Sequence, residues 1–136
     1  MFYKGNEPKY MTAGAAGADL ICNETMTIGE KVALVPTGTY VEIPDGYFGC
    51  LLPRSSTCIK HGLVLANSMG VIDSDYRGEI KCAFKNLTDS PVTIQKGERI
   101  AQLIILKFER LQYVNGDLTE TDRGEGGFGH TDAINK

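Results

Sequence analysis

In the stretch GVIDSDYRG, residues 70–78, a carboxylate and an aromatic ring sit close together in a turn between two strand-like runs. Asp73 can take a proton from water or accept a hydrogen bond from a sugar hydroxyl. Tyr76 can wall off that sugar. Taken alone, the same residues also make an ordinary hairpin with an acidic tip. A second stretch, PRSST at residues 53–57, puts Arg54, Ser55 and Ser56 at the end of a strand and the start of the one helix-like segment. A cation, two hydroxyls and backbone N–H groups suit a phosphate, though a serine cap beside a surface arginine would read the same way.

Three further stretches carry polar or glycine-rich residues into otherwise apolar surroundings. In GERIAQ, Gln102 interrupts a strand that continues as LIIL, so its amide needs partners from the core or from a ligand. In AGAAGADL, Asp19 follows small residues, where a turn aspartate is the commoner reading. The chain nearly ends on RGEGGFGHT, which holds Arg123, Phe128 and Gly129 among glycines. Glycines let backbone N–H groups approach phosphates. No Gly-Lys-Ser/Thr follows, so this is not a Walker A loop.

The elements around these stretches read mostly as short strands. EIKCAFKN alternates Ile80, Cys82 and Phe84 with charged residues, the period of a strand with one wet face. KVALVPTGTYVEIPDGYFGCLLP reads as two β-rich runs separated by Pro-Thr-Gly, followed by a Pro-Asp-Gly turn. Only SSTCIKHG looks helical, with serine and glycine as its caps. After Val114 the aliphatic residues thin out. The expectation is an all-β jelly roll or sandwich over residues 1–114, with one short helix and a flexible C-terminal arm over 115–136.

Composition narrows the function classes. At 136 residues and 42% hydrophobic, the chain reads as one soluble domain. Its formal net charge of −3, with both signs spread along the chain, argues against a nucleic-acid surface. No apolar run approaches the ~20 residues that span a bilayer. The N-terminus has no signal-peptide pattern, and a cytoplasmic setting is expected. Cys22, Cys50, Cys58 and Cys82 form no CxxC pair, and the two histidines, His61 and His130, lie far from each other, so no zinc site is expected and the thiols read as reduced and mostly buried.

In order and wording, AGAAGADL, PRSST, GVIDSDYRG, GERIAQ and RGEGGFGHT resemble the five motifs of the trimeric dUTP pyrophosphatases, the dUTPases, from about Ala13 to Thr131. That resemblance implies a jelly roll assembled as a closed homotrimer, with each active site drawing on all three chains and the arm closing over a neighbour's nucleotide. It implies Mg²⁺-dependent hydrolysis of dUTP to dUMP and pyrophosphate, which limits uracil incorporation into DNA and supplies dUMP for thymidylate synthesis. Carried onto matching positions, Asp73 becomes the general base and Tyr76 the floor of the sugar pocket. Asn67, with backbone groups of Gly70, Val71 and Ile72, reads the uracil edge. Arg54, Ser55, Ser56 and Gln102 go with the phosphates, and Asp19 meets the metal through water. Arg123 reaches the phosphates from the arm, while Phe128, next to Gly129, stacks over uracil. Gln102 and Arg123 count with Asp73 as catalytic.

Two positions depart from the usual pattern. Ser56 stands where the second motif normally has glycine, and Ala18 where a bulkier residue is frequent. Ser56 either limits how closely the backbone approaches a phosphate or adds a donor. A dCTP deaminase would share the fold, but the third and fifth motifs count against it. A nucleotide-gated regulatory protein acting through a protein partner is a third reading, favoured by no residue.

Overall fold

The computed structural model describes residues 1–134, and of Ala133 and Ile134 the backbone only; residues 135 and 136, the last of the expected arm, lie outside the described residues. In chain order the elements are β1 (Phe2–Gly5), β2 (Ala18–Ile21), β3 (Met26–Ile28), β4 (Ala33–Glu42), β5 (Tyr47–Pro53), α1 (Ser55–His61), β6 (Leu63–Leu65), β7 (Gly70–Ile72), β8 (Ile80–Asn86), β9 (Val92–Ile94), β10 (Arg99–Lys107) and α2 (His130–Ile134). Two four-stranded sheets, β1-β4-β8-β6 and β2-β10-β5-β7, pair antiparallel throughout, and β3-β9 forms a small third sheet. This is the expected all-β jelly roll.

The period-two pattern of β8 points Ile80, Cys82 and Phe84 inward, and all three are buried. They meet Leu20, Val35, Leu51, Ile100 and Leu103 in one apolar core between the two large sheets. Each such side chain contributes about 1.5–3 kcal/mol on leaving water. Cys22 and Cys82 belong to the same core and Cys50 is also buried, whereas Cys58 on α1 is exposed; all four are free thiols. Burial pushes the Cys82 thiol up to about 12.

Two local expectations change. Pro36-Thr37-Gly38 does not divide the run into separate strands: β4 continues through it, with a register shift against β8 between Pro36 and Thr39. Side-chain bonds hold the bulge closed. The Thr37 hydroxyl donates to the Ile80 carbonyl at 2.6 Å, and Glu79 Oε1 accepts the Gly38 N–H at 2.9 Å. Gly38 has φ 66°, which glycine adopts without strain. The bulge thereby fixes where β8 begins, at the foot of the β7–β8 turn.

At α1 the glycine cap is as expected: Gly62 is left-handed and its N–H returns to Cys58 and Thr57 carbonyls. The serine cap is not. Arg54 occupies the N-cap position without a side-chain cap bond, and Ser55 is already helical. The Thr57 hydroxyl donates instead to the Ile100 carbonyl at 2.9 Å, tying α1 to β10.

Beyond β10 the sheet ends. The Phe108 N–H still donates to the Gly46 carbonyl. From there on every hydrogen bond among the described residues is internal to the arm, which finishes in the short α2.

Candidate functional site

The predicted site residues fall into three separate groups. The first lies where β2, β10 and the end of β5 meet. Gln102 pairs across with Asp19 on one side and Leu52 on the other. The Gln102 amide donates to the Pro53 carbonyl at 3.2 Å, and its Oε1 lies where a Cβ on Gly17 would stand, 2.4 Å away. A side chain at Gly17 would have to displace the Gln102 amide from this position. The half-buried Asp19 Oδ2 sits 3.2 Å from Arg54 Nε and 3.5 Å from Arg99 Nε. One carboxylate thus holds two guanidinium groups side by side. Arg54 Nη1 also donates to Ser56 Oγ and to the Arg99 carbonyl, both at 3.2 Å. Ser55 is exposed beside them. Arg99 was missed in the sequence, where a charge at the start of a strand looks like any solvated residue. The sequence held no signal for it, because a spacing of three predicts opposite faces of a strand for Arg99 and Gln102, and only the register shift between Arg99 and Ala101 changes that alternation.

The two guanidinium groups and the neighbouring serine hydroxyls give this cluster the donors to hold an anion with several oxygens. Among the described residues no group of three or more His, Cys, Asp or Glu side chains could cage a metal. The Asp19 carboxylate already serves two cations, and Glu7 and Glu98 line the pocket that Asp19 and Arg99 share.

The second group is the β7–β8 turn. Asp73, Tyr76, Val71, Ile72, Leu34 and Lys81 line a cleft of about 330 Å³. Asp73 and Tyr76 are exposed at its mouth, and the Asp73 carboxylate accepts no hydrogen bond from the described residues. Tyr76 is fixed: its hydroxyl donates to the Glu79 carbonyl at 2.9 Å. Its ring lies over Gly78, where a Cβ would come within 2.3 Å of the hydroxyl oxygen. Asn67 is exposed just before β7, in a turn where Ser68 takes φ 64°. Gly70 is buried against the Leu51 side chain.

The third group is the arm. Arg123 Nε donates to the Gly126 carbonyl at 2.7 Å, curling the loop on itself. Phe128 and Gly129 have φ 50° and 89°, and the phenylalanine ring is fully exposed.

The first two groups do not meet within one chain. Gly49 pairs with Ile72 and Cys50 with Val71, so Asp73 leaves β7 level with Phe48, near the start of β5. Arg54 follows the other end of β5 and turns toward β2, the sheet edge opposite β7. At about 3.3 Å per residue the two ends of β5 lie roughly 20 Å apart. The Asp73 carboxylate and the Arg54 guanidinium therefore do not adjoin each other within one chain.

Comparisons with known proteins agree on what kind of chain this is. The family model described as dUTPase matches residues 4–132. The chain is 48% identical over 128 residues to the deoxyuridine 5'-triphosphate nucleotidohydrolase of Finegoldia magna, covering 91% of this chain and 90% of that one. It is 48% identical over 133 residues to the enzyme of the same name from Rickettsia typhi, covering 95% and 90%. Among solved structures it is similar to the dUTPase from Streptococcus mutans, with a TM-score of 0.77 and 36% identity over 82% of this chain and 98% of that one. It is also similar to the Staphylococcus bacteriophage 80alpha dUTPase with dUPNHPP, with a TM-score of 0.81 and 28% identity over 95% and 96%. With the fold and nearly the whole length in agreement, the chain belongs to the dUTPase family, whose reaction is the hydrolysis of dUTP to dUMP and pyrophosphate.

Proposed function

We propose that this hydrolysis takes place in sites shared between copies of the chain in a homotrimer, with Asp73 as general base and Mg²⁺ on the phosphates. The observation that carries the reading is the separation of the two groups along β5. The anion-holding cluster and the Asp73 turn sit at opposite ends of that strand and face opposite sheet edges. A head-to-tail threefold arrangement brings the end of one chain against the turn of the next and closes on itself. The outer face of the β2-β10-β5-β7 sheet supports self-association. Val71, Cys50 and Ile104 line up across β7, β5 and β10, with Phe48 opposite Leu106 and in edge contact with Phe108. Val71, Leu106 and Phe108 are 57%, 44% and 41% exposed in the single chain, an apolar stripe that a partner copy would cover.

In this reading Asn67 and the backbone of Gly70, Val71 and Ile72 read the uracil edge, and Tyr76 packs against the deoxyribose, leaving no room for a 2′-hydroxyl. Arg54, Ser55, Ser56 and Gln102 hold the phosphates. Asp73 takes a proton from water as its oxygen bonds to the α-phosphorus, and the bond from that phosphorus to the bridging oxygen breaks to release pyrophosphate. The chemistry is chiefly positioning and charge stabilisation, which fixed donors supply without rearranging. Mg²⁺ would neutralise phosphate charge there, with Asp19 Oδ1 holding one of its waters. The arm, residues 115–136, acts as the lid: Arg123 adds charge at the phosphates, and Phe128 and Gly129 cover the base of a nucleotide on a neighbouring copy. A cytoplasmic setting belongs to the same proposal, supported by four cysteines that remain free thiols.

The direct test is Asp73→Asn. The variant should retain the wild-type sedimentation and melting behaviour while losing about 10²–10⁴ in turnover. Wild-type turnover in that variant would remove Asp73 from the role of base.

A further inference from the structure

We propose that Glu79 is a positioning residue for sugar selection: its carboxylate fastens the end of the β7–β8 turn to the bulge in β4 and so holds Tyr76 in place. This rests on the reading of Tyr76 as the wall of the deoxyribose site. A tyrosine held only at its Cα is free to change rotamer. Tyr76 is held at the far end of its ring as well, where its hydroxyl donates to the Glu79 carbonyl at 2.9 Å. The ring is therefore only as well placed as that carbonyl. Glu79 precedes β8 and lies outside the β4–β8 ladder, whose last pair on this side is Thr39 with Ile80. Its own side chain supplies the tie to β4 that the ladder does not.

Glu79 Oε1 accepts the Gly38 N–H at 2.9 Å, within the register shift of β4. The carbonyl of that same peptide, on Thr37, accepts from the Asn6 side-chain amide at 2.8 Å, and the Gly38 carbonyl accepts the Asn6 N–H at 2.9 Å. The peptide that Glu79 grips is thus clamped from its far side. Hydrogen bonds in such a chain reinforce one another. The run of contacts leads from Asn6 through the Thr37–Gly38 peptide to the Glu79 carboxylate, and from the Glu79 carbonyl to the Tyr76 hydroxyl. Glu79 is its one link from β4 to the turn. Its side chain is 19% exposed, and a charged acceptor there makes a stronger bond than a neutral one. Glu79 Oε2 has a looser contact, 4.0 Å from Lys81 Nζ.

The experiment measures kcat/KM for dUTP and for UTP in wild type, Glu79→Ala, Glu79→Asp, Glu79→Gln and Tyr76→Ala, together with their melting temperatures. Glu79→Ala should lower the ratio of dUTP to UTP about tenfold, the scale of one lost bond to a charged group. Glu79→Asp, whose carboxylate is drawn back by one methylene, should fall in the same direction and replaces the Ala variant if that one does not fold. Glu79→Gln keeps an oxygen for the Gly38 N–H while giving up the charge that faces Lys81, and its ratio should stay close to wild type. An unchanged ratio in the folded Ala variant, or in the Asp variant standing in for it, would overturn the proposal, equal losses for both nucleotides included. So would a Gln variant that loses as much as Ala, which would assign the effect to charge rather than to the bond. Tyr76→Ala should lower the ratio at least as far as Glu79→Ala. An unchanged ratio there would instead sink the parent reading of Tyr76, and the proposal with it.

Discussion

Mixing Asp73→Asn chains with Arg54→Ala chains should restore turnover that neither has alone. Each substitution disables one of the two groups at opposite ends of β5. Losing the base costs about 10²–10⁴ in rate, and losing a fixed cation at the phosphates about 10²–10³, so each parent falls near or below one per cent of wild type. In a trimer built from an equal mixture, a site works when its phosphate cluster comes from an Asp73→Asn chain and its turn from an Arg54→Ala chain. Random assembly gives that combination in about a quarter of sites. The arm is intact in both parents and adds no further condition. The assay is joint unfolding and refolding, or co-expression, followed by pyrophosphate release and a check that the mixed species is still trimeric. Recovery toward a quarter of wild-type activity is the expected result. Activity that stays at the mean of the two parents in demonstrably mixed trimers would refute the sharing of sites, since a site contained within one chain is never whole in either variant.

Three other outcomes follow from particular contacts. Deleting the arm from Arg123 onward should lower turnover by at least about 10²–10³ while leaving melting and sedimentation unchanged, because among the described residues every hydrogen bond of the arm beyond Phe108 is internal to it; near-normal activity would make the arm a bystander. Gly78→Ala should narrow the preference for dUTP over UTP, since a Cβ there would stand 2.3 Å from the Tyr76 hydroxyl oxygen and must displace the ring; an unchanged ratio of kcat/KM for the two nucleotides would show that the ring does not set it. Acid stability should depend on Glu98. Its carboxyl is held below the ordinary 4.5 first by the Gln95 N–H it accepts and then by His61 at 2.9 Å. A lowered folded value means stability that is present above the ordinary one and lost as pH falls through the folded one. Glu98→Gln should therefore flatten that segment of the acid limb of Tm against pH, and an unchanged limb would count against the contact.

What was legible in the sequence follows the range over which each signal acts. The alternation of Ile80, Cys82 and Phe84 is local, and the strand it predicts is the strand observed. The left-handed cap at Gly62 is equally local. Pro36-Thr37-Gly38 misled because its turn chemistry is overruled by Asn6 and Glu79, residues distant in the chain that bond Thr37 O and Gly38 N. The serine cap failed for a similar reason. The side chain at the cap position is Arg54, drawn off by Asp19 across the sheet. Arg99 was invisible as a site residue because its importance lies in sharing one carboxylate with Arg54, a fact of pairing between β2 and β10. The motifs put forward Asp73 and Arg54 as candidates, but only the strand register shows that the two leave opposite ends of β5.

The most direct single measurement is pyrophosphate release with Mg²⁺ from dUTP beside dTTP, dCTP and UTP. The account predicts turnover of dUTP alone: the Asp73 turn supplies the base, Tyr76 excludes the 2′-hydroxyl, and the Asn67 side excludes the other bases. Comparable turnover of UTP or dTTP, or binding of dUTP without release of pyrophosphate, would contradict it.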